Sequence, residues 1–468
     1  MTAPRASMVL PSKLRQALIL KTHTGAHSPK WSIQRLAELN GSKLTEKKQI
    51  GSGISSETAR ILLQSVNVRL GQQYEKCVDM LNQLQFGHSL MSKQQQSSNQ
   101  SIQRNGIIRA ANNPNVRVSL TEQHYIMKEA KRLELKATKM LKDLQAVHVD
   151  TFQLTVDLMD NTRVLRRFSA SDQSAVASVM EQIRSRHATT VETLADITTD
   201  LRKKTNLKRR LLQTTKCQFL SETLVNQFLQ DRLIIQLLCD HYLGFNKKRP
   251  YGGISFEVPI EDVVSDAVTE MTHLCDANHG WCPPVEYHAN NHNSQVSMTL
   301  IRPWAHHALG ELLKNAMEAT VQAFYRDPKK CHSISLEERQ DHVYPIQIIV
   351  DPYHTISSFG NDHEYLAIHV VDHGIGFRND DCRQRAFLFA DSSFSDKDQR
   401  WDRLQDQQSY AAVRSPLSSL GVGLCLSRMM MQLFGGNVLL SQNQDAPGCT
   451  ATILLNKDLT ITEGSSEL

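Results

Sequence analysis

The sequence predicts two unlike parts, a helical bundle followed by an α/β layer domain. Three observations carry that reading. Between about Ser55 and His241 the apolar residues recur at helical spacing in four long segments, with little strand signal among them. From about Pro250 onward, short apolar runs of strand character alternate with amphipathic helices. A Gly, Pro and Lys cluster, GFNKKRPYGG, separates the two regimes. With 468 residues the chain has room for two or three domains. The expected division is 1–37 as a basic leader or tail, 38–248 as the helical domain, 249–457 as the α/β domain and 458–468 as a short tail.

The N-terminal segment is unusual in charge. From Met1 to Ala37 it has no acidic residue, while Arg5, Lys13, Arg15, Lys21, Lys30 and Arg35 are basic. LPSKLRQALILKTH can form a basic amphipathic helix, and acid-poor, hydroxyl-containing segments of this kind resemble mitochondrial presequences. The plainer alternative is a solvated basic tail. No apolar run approaches the ~20 residues that span a bilayer, so an integral membrane protein is not expected. The formal net charge of +5, spread over the whole chain, is too mild to argue for nucleic acid. Nine cysteines, odd in number and with no Cys-x-x-Cys pair, read as reduced, mostly buried thiols.

The four helical segments follow in order. SSETARILLQSVNVRLGQQYEKCVDMLNQL opens with serines and Glu57, an N-terminal cap signal. TEQHYIMKEAKRLELKATKMLKDLQAVH is the second. SDQSAVASVMEQIRSRHATTVETLADITTDLRKK is the third, read as one helix. LVNQFLQDRLIIQLLCDHYLGF is the fourth. Between the first two, a Gln, Asn and Ser-rich stretch at about 92–117 reads as a mobile loop insertion.

In the second region VSMTLI, YPIQIIVD, YLAIHVVD and TATILL read as strands. PIEDVVSDAVTEMTHLCDANH, HHALGELLKNAMEATVQAF and GLCLSRMMMQLFG read as helices. Three of these stretches carry chemistry. In GELLKNAMEATVQAF, Glu311 and Asn315 are four apart and share one face of a largely apolar helix, with Lys314 and Glu318 beside them. In YLAIHVVDHGIGF a strand ends at Asp372, and Gly374 and Gly376 follow. A strand-end carboxylate can accept a hydrogen bond from an exocyclic amine, and the glycines let the backbone approach a flat ring. In SSLGVGLCLSRMMMQLFGG, Gly421 and Gly423 open a helix whose N–H groups and dipole suit an anion. No Gly-Lys-Ser/Thr follows, so this is not a Walker-type loop. Each piece alone is weak. Their order supplies a metal-binding amide, an adenine-reading carboxylate and a phosphate cradle, a set that suits ATP with Mg²⁺.

That order resembles the Bergerat ATP-binding fold of histidine kinases, ninety-kilodalton heat-shock chaperones, type II topoisomerases and MutL proteins. Within it, ELLKNAMEAT is most similar to the mitochondrial α-keto acid dehydrogenase kinases, which act on the pyruvate and branched-chain complexes. NVRLGQQYEKCVDML, IRSRHATTVETLA, FLQDRLIIQLLCDHYLGF and IEDVVSDAVTEMTHLCD fall in that family's order, so the resemblance spans roughly Ser55 to Leu455. It implies a four-helix bundle followed by a Bergerat-type domain. It also implies a protein-serine kinase of the mitochondrial matrix that uses Mg-ATP to phosphorylate and inactivate an E1 component, docks on a lipoyl-bearing E2 domain and forms a homodimer.

By the same resemblance, Glu311 is the general base for the substrate serine and Asn315 the Mg²⁺ ligand. Asp372 reads adenine, with Gly374 and Gly376 in its turn. Ser392 and Ser393 lie near the nucleotide. Ser419, Leu420, Gly421, Val422, Gly423 and Leu424 form the glycine-rich lid end, followed by Thr450. Lys314 and Glu318 flank the nucleotide, and His187 approaches and tunes the base. Plainer readings stand beside these: Glu311 as an exposed helix charge, Asn315 as a packing amide, His187 as a structural residue. His306 and His307 read as helix-surface or core residues, and Met429 to Met431 as core.

The chain departs from the family at several points. Glu318 stands where an arginine is usual, His373 replaces an Arg, and Ser419 replaces the first lid glycine. Gly448-Cys449 replaces Gly-Thr, and the tail lacks the Asp-Trp dimer element. Two other functions compete: a histidine protein kinase, and an ATP-binding scaffold that transfers nothing. The long polar segment from Phe394 reads as a lid that orders on nucleotide binding.

Overall fold

The computed structural model describes residues 30–39, 54–104, 120–160, 170–212, 220–289, 296–356, 362–391, 421–444 and 446–463. The N-terminal amphipathic stretch and the lid segment therefore lie outside the described residues. The chain divides into two compact units, with cuts after Ala59 and after Cys239. One is helical. The other combines residues from both sides of it in sequence.

Helix α1 (Ile33–Glu38) belongs to the α/β unit. The helical unit is formed from α2 (Ser56–Arg104), α3 (Leu120–Asp160), α4 (Ala170–Arg186), α5 (Thr190–Leu212) and α6 (Glu222–Asn246). On α3, the buried positions Ile126, Ala130, Leu133, Ala137, Leu141 and Leu144 keep the helical three-and-four spacing. This stripe packs along α5, which buries Val191, Leu194, Ala195 and Leu201. Lys204 and Glu134 form an ion pair of 3.0 Å between those helices, both nearly buried.

Two expectations for this unit need correcting. The third segment is two helices, because the backbone turns at His187–Thr189. The β-branched Thr190 and Val191 restart the helix with Glu192 in its first turn, where the dipole favours a carboxylate. Arg232 Nη2 donates to the His187 carbonyl at 3.2 Å, satisfying an acceptor that the break exposes. The polar insertion is not all loop either. Helix α2 continues through it to Arg104, since the stretch from Ser89 to Arg104 contains no Gly or Pro and its Gln, Met and Lys residues favour helix.

The α/β unit continues with β1 (Ser255–Pro259), α7 (Ile260–His279), β2 (Val285–Ala289), β3 (Ser297–Leu300), α8 (Arg302–Arg326), β4 (Ile346–Ile356), β5 (Asp362–Val371), α9 (Asp380–Arg385), α10 (Gly423–Gln432), β6 (Asn437–Gln442) and β7 (Cys449–Asn456). The main sheet is five-stranded in the order β2-β4-β5-β7-β6. Only the β2–β4 pair is parallel; the others are antiparallel. Strands β1 and β3 form a separate antiparallel pair. Helix α8 packs between α7 and α10 and against β5 and β7. Its buried Leu309, Leu312, Leu313, Ala316, Met317, Thr320, Val321 and Phe324 fill the layer below the sheet. Helix α7 ends at Gly280, whose φ of 76° is the left-handed cap that glycine adopts without strain.

Residues 30–38 are part of this unit. Trp31 is fully buried, and its N–H donates to the Glu463 carboxylate at 3.1 Å, while the Glu463 N–H donates to the Trp31 carbonyl at 2.8 Å. His241 accepts from the Gly253 N–H at Nδ1, so its Nε2–H donates to the Leu36 carbonyl at 3.0 Å. Among the described residues seven cysteines stand outside any disulfide and are mostly buried, in line with the reduced state expected.

Candidate active site

Helix α8 carries the first part of the site. The Glu311 carboxylate is buried and accepts from the Lys314 ammonium one turn on. It lies against the first residue of α10: a Cβ on Gly423 would fall 1.8 Å from Glu311 Oε2. Glycine is needed there because the carboxylate fills the space that any side chain would occupy. Burial removes the reading of Glu311 as an exposed helix charge. Asn315 is the opposite case, exposed and with no hydrogen-bond partner among the described residues. It is not a packing amide. Its carbonyl oxygen is free for a ligand.

The turn after β5 carries the second part. Asp372 is buried, and its Oδ1 accepts from the N–H groups of Gly374 at 2.8 Å and Cys449 at 3.3 Å. Burial pushes its pKa up to about 6, against those two amides, which pull it down. Its own carbonyl accepts from the Asn443 side chain at 2.9 Å. Two glycines make the packing possible. A Cβ on Gly374 would meet the Ala319 backbone at 2.5 Å, so this turn sits directly on α8, one turn beyond Asn315. A Cβ on Gly448 would lie 2.0 Å from the Asp372 carbonyl oxygen, at a φ of 111°. Gly376 has φ 59° and packs on Gln442, whose Oε1 takes the Phe377 N–H. Thr450 donates to Asn443 Oδ1 at 2.8 Å, tying the same corner.

The start of α10 carries the third part. Gly421 has a φ of 68° and Val422 is fully buried at the helix cap, where no side chain caps the first turn. The helix buries Cys425, Leu426, Met429 and Met431, whereas Leu424 is half-buried beside the glycines. Ser392, Ser393, Ser419 and Leu420 lie outside the described residues.

Glu318 lies two turns beyond Glu311 on the same side of α8 and is already engaged. Its Oε2 meets His279 Nε2 at 2.8 Å at the end of α7, and its Oε1 takes the Gln322 amide at 2.7 Å. His187 belongs to the helical unit. There its Nε2 meets Thr151 Oγ1 at 2.9 Å, and its ring stacks edge-on to His148 at 4.4 Å. Burial, with Arg232 and Arg186 adding to it, pushes its pKa down to about 3.

One residue was missed. His307 lies one turn before Glu311 on α8, with Nε2 buried and unpaired. Burial lowers its pKa and the Glu311 charge pulls it back up, so the two side chains feel each other. The four-residue spacing to Glu311 was the signal available. His306, next to it, faces Glu270 at 3.4 Å on the surface.

No family model matches the chain. Curated proteins similar to it include two mitochondrial kinases. One is a probable pyruvate dehydrogenase (acetyl-transferring) kinase, mitochondrial, from Caenorhabditis elegans, 23% identical over 354 residues, covering 73% of this chain and 75% of that protein. The other is a pyruvate dehydrogenase (acetyl-transferring) kinase, mitochondrial, from Schizosaccharomyces pombe, 23% identical over 291 residues, covering 61% of this chain and 59% of that protein. At this identity the two comparisons support a kinase of the pyruvate dehydrogenase kinase family, and no particular member of it.

Proposed function

We propose that the chain is a protein-serine kinase that uses Mg-ATP to phosphorylate, and so switch off, the E1 component of a mitochondrial α-keto acid dehydrogenase complex. The observation that carries this reading is the division of labour on α8. Glu311 is buried against the glycine start of α10, while Asn315, one turn on, is exposed and uncommitted. Phosphoryl transfer needs a fixed proton acceptor and a metal ligand side by side.

The residues fit the nucleotide. Asn315 would hold Mg²⁺ through its amide oxygen, with Lys314 close by. Gly421 to Gly423 would cradle phosphates on the N–H groups of α10, and Asp372 would accept the exocyclic amine of adenine. Mg-ATP supplies the transferable phosphoryl group and the charge that screens it. Glu311 takes the proton of the substrate hydroxyl at its carboxylate, Lys314 holds that carboxylate by a hydrogen bond, and His307, one turn earlier, lies close enough to feel its charge. Gly374 and Gly448 keep the Asp372 turn pressed onto α8 and β7.

The remaining elements of the proposal are a matrix location, a homodimer, and docking on a lipoyl-bearing E2 domain by the helical unit. Because Trp31 and Leu36 are core residues, a leader would be cut upstream of Lys30. N-terminal sequencing of the protein from mitochondria tests that position.

The deciding experiment offers purified E1 components with Mg-ATP and maps the phosphorylated residue. Serine phosphate on one E1, lost in Glu311→Ala with ATP binding retained, is the expected result. No phosphate on any E1 would sink the proposal, and acid-labile phosphate on the chain itself would favour a histidine kinase.

A further inference from the structure

Helix α3 has two faces, and the fold uses one of them. The inner face carries the buried stripe from Ile126 to Leu144 that packs along α5. On the outer face, from Lys128 to Lys142, every exposed position is a lysine or an arginine except Leu135. Lys128, Lys131, Arg132, Lys136, Lys139 and Lys142 keep the same three-and-four spacing as the buried stripe, on the opposite side of the helix. They line about 21 Å of it. The two acidic residues in that stretch, Glu129 and Glu134, are half-buried and buried.

The carboxylates nearby are already taken. Glu129 accepts from Arg132 at 2.8 Å, Glu134 pairs with Lys204 at 3.0 Å, and Asp200 of α5 pairs with Lys136 at 2.9 Å. Lys128, Lys131, Lys139 and Lys142 have no ion-pair partner among the described residues. Amid these charges Leu135 is 62% exposed. Its neighbours one turn either way are Lys131, Arg132, Thr138 and Lys139. Two to three turns before it, Met127 and Tyr125 are 39% and 65% exposed. A single exposed leucine is ordinary. One enclosed by cations, with an exposed tyrosine and methionine on the same helix, has the composition of a helix that lies in a lipid interface.

We propose that the outer face of α3 docks on the surface of an anionic phospholipid bilayer. It lies on the bilayer and does not cross it, since no described helix is long and apolar enough to span a membrane. The ammonium groups meet headgroup phosphates, the lysine stems lie along the surface, and Leu135 enters the boundary between headgroups and acyl chains. Charge complementarity selects an anionic partner, and Leu135 selects lipid among anionic partners. A nucleic-acid backbone offers that side chain nothing apolar. An acidic protein would need a recess shaped for it, whereas the convex face of one helix meets a plane. Each cation within reach of an anionic bilayer strengthens binding about fivefold, and the attraction fades over a Debye length. The proposal goes beyond the kinase reading and does not rest on it.

The test floats the full-length protein with vesicles of phosphatidylcholine alone or mixed with cardiolipin, at low and high salt. Binding to the mixed vesicles only, weakening as salt rises, is the expected result. Lys131→Gln together with Lys139→Gln should weaken it about 25-fold, with Tm unchanged because neither lysine is paired. Leu135→Ser should weaken it several-fold and leave its salt dependence as it was. A footprint then locates the contact and separates it from the basic N-terminal segment. Mixed vesicles should slow acetylation of Lys128, Lys131, Lys139 and Lys142, neutral vesicles should not, and the exposed Lys247, just after α6, should react alike in both. Equal binding to neutral vesicles overturns the proposal, as does acetylation of the four lysines that vesicles leave unchanged. Binding to polyglutamate or RNA as tight as to mixed vesicles, and indifferent to Leu135→Ser, overturns the assignment to lipid. No arm uses ATP or an E1 component, so failure here and failure of the kinase reading are distinct.

Discussion

The two ends of the candidate nucleotide site are built in opposite ways. The Asp372 end is over-determined. Two backbone amides hold the Asp372 carboxylate, while the Asn443 side chain and two tightly packed glycines hold its backbone. The Asn315 end is uncommitted, with an exposed amide and a lysine that, among the described residues, is engaged only by Glu311. The difference teaches where selectivity and catalysis divide. A rigid turn can be matched to a flat base before binding, whereas metal and phosphate groups arrive with their own geometry and need ligands free to meet them.

The largest break in that comparison is at Glu311. Glu311→Gln should lower phosphate transfer on the order of 10²–10⁴-fold, with ATP affinity unchanged in a binding titration. Gly423→Ala comes next. The added methyl displaces the Glu311 carboxylate rather than backbone, so folding should be retained while kcat falls by roughly 10²-fold. A large drop in Tm instead would mean that the contact is structural.

Asp372→Asn probes the rigid end and should cost about 1.5–3 kcal/mol of ATP affinity. A pH series sharpens it. Burial raises the Asp372 pKa to about 6, and the ionised form accepts the stronger, charge-assisted hydrogen bond from the amine, whereas protonation turns one oxygen into a donor. ATP affinity should therefore hold above pH 7 and fall as pH drops through about 6. The Asn variant should lack that step. The smallest effect is expected at Glu318. Its pair with His279 is partly exposed, so Glu318→Gln should change stability by only about 0.2–1 kcal/mol and leave ATP affinity alone. A clear loss of ATP affinity would place Glu318 beside the nucleotide, as sequence reading expected.

Glu311, Asn315 and Asp372 were legible because each sits in a short local pattern: a four-residue helical spacing, or a strand end followed by glycines. What the patterns could not show is depth. Nothing in GELLKNAMEAT says that Glu311 is buried and Asn315 exposed, since both lie on the same helical face; the Gly423 contact, more than 100 positions away, decides it. Strands β1, β2 and β6 were missed because SFEVP, VEYHA and NVLLSQ are short and mix polar residues with apolar ones. The break at His187 was missed for a related reason. Helical periodicity persists on both sides, and the residues that stabilise the break, Arg232 above all, are distant in sequence.

The hydrogen bond from Trp31 to Glu463 joins residues 432 positions apart. During synthesis Glu463 follows Trp31 by 432 residues, so the α/β unit cannot close this corner until that stretch has been made. At translation rates of about 5–20 residues per second the wait is roughly 20–90 s, long enough for the intervening helices to form first. A circular permutant that links Glu463 to Lys30 through a short linker and opens the chain elsewhere would abolish that delay, and should refold with the Trp31 corner among its earliest contacts rather than its latest.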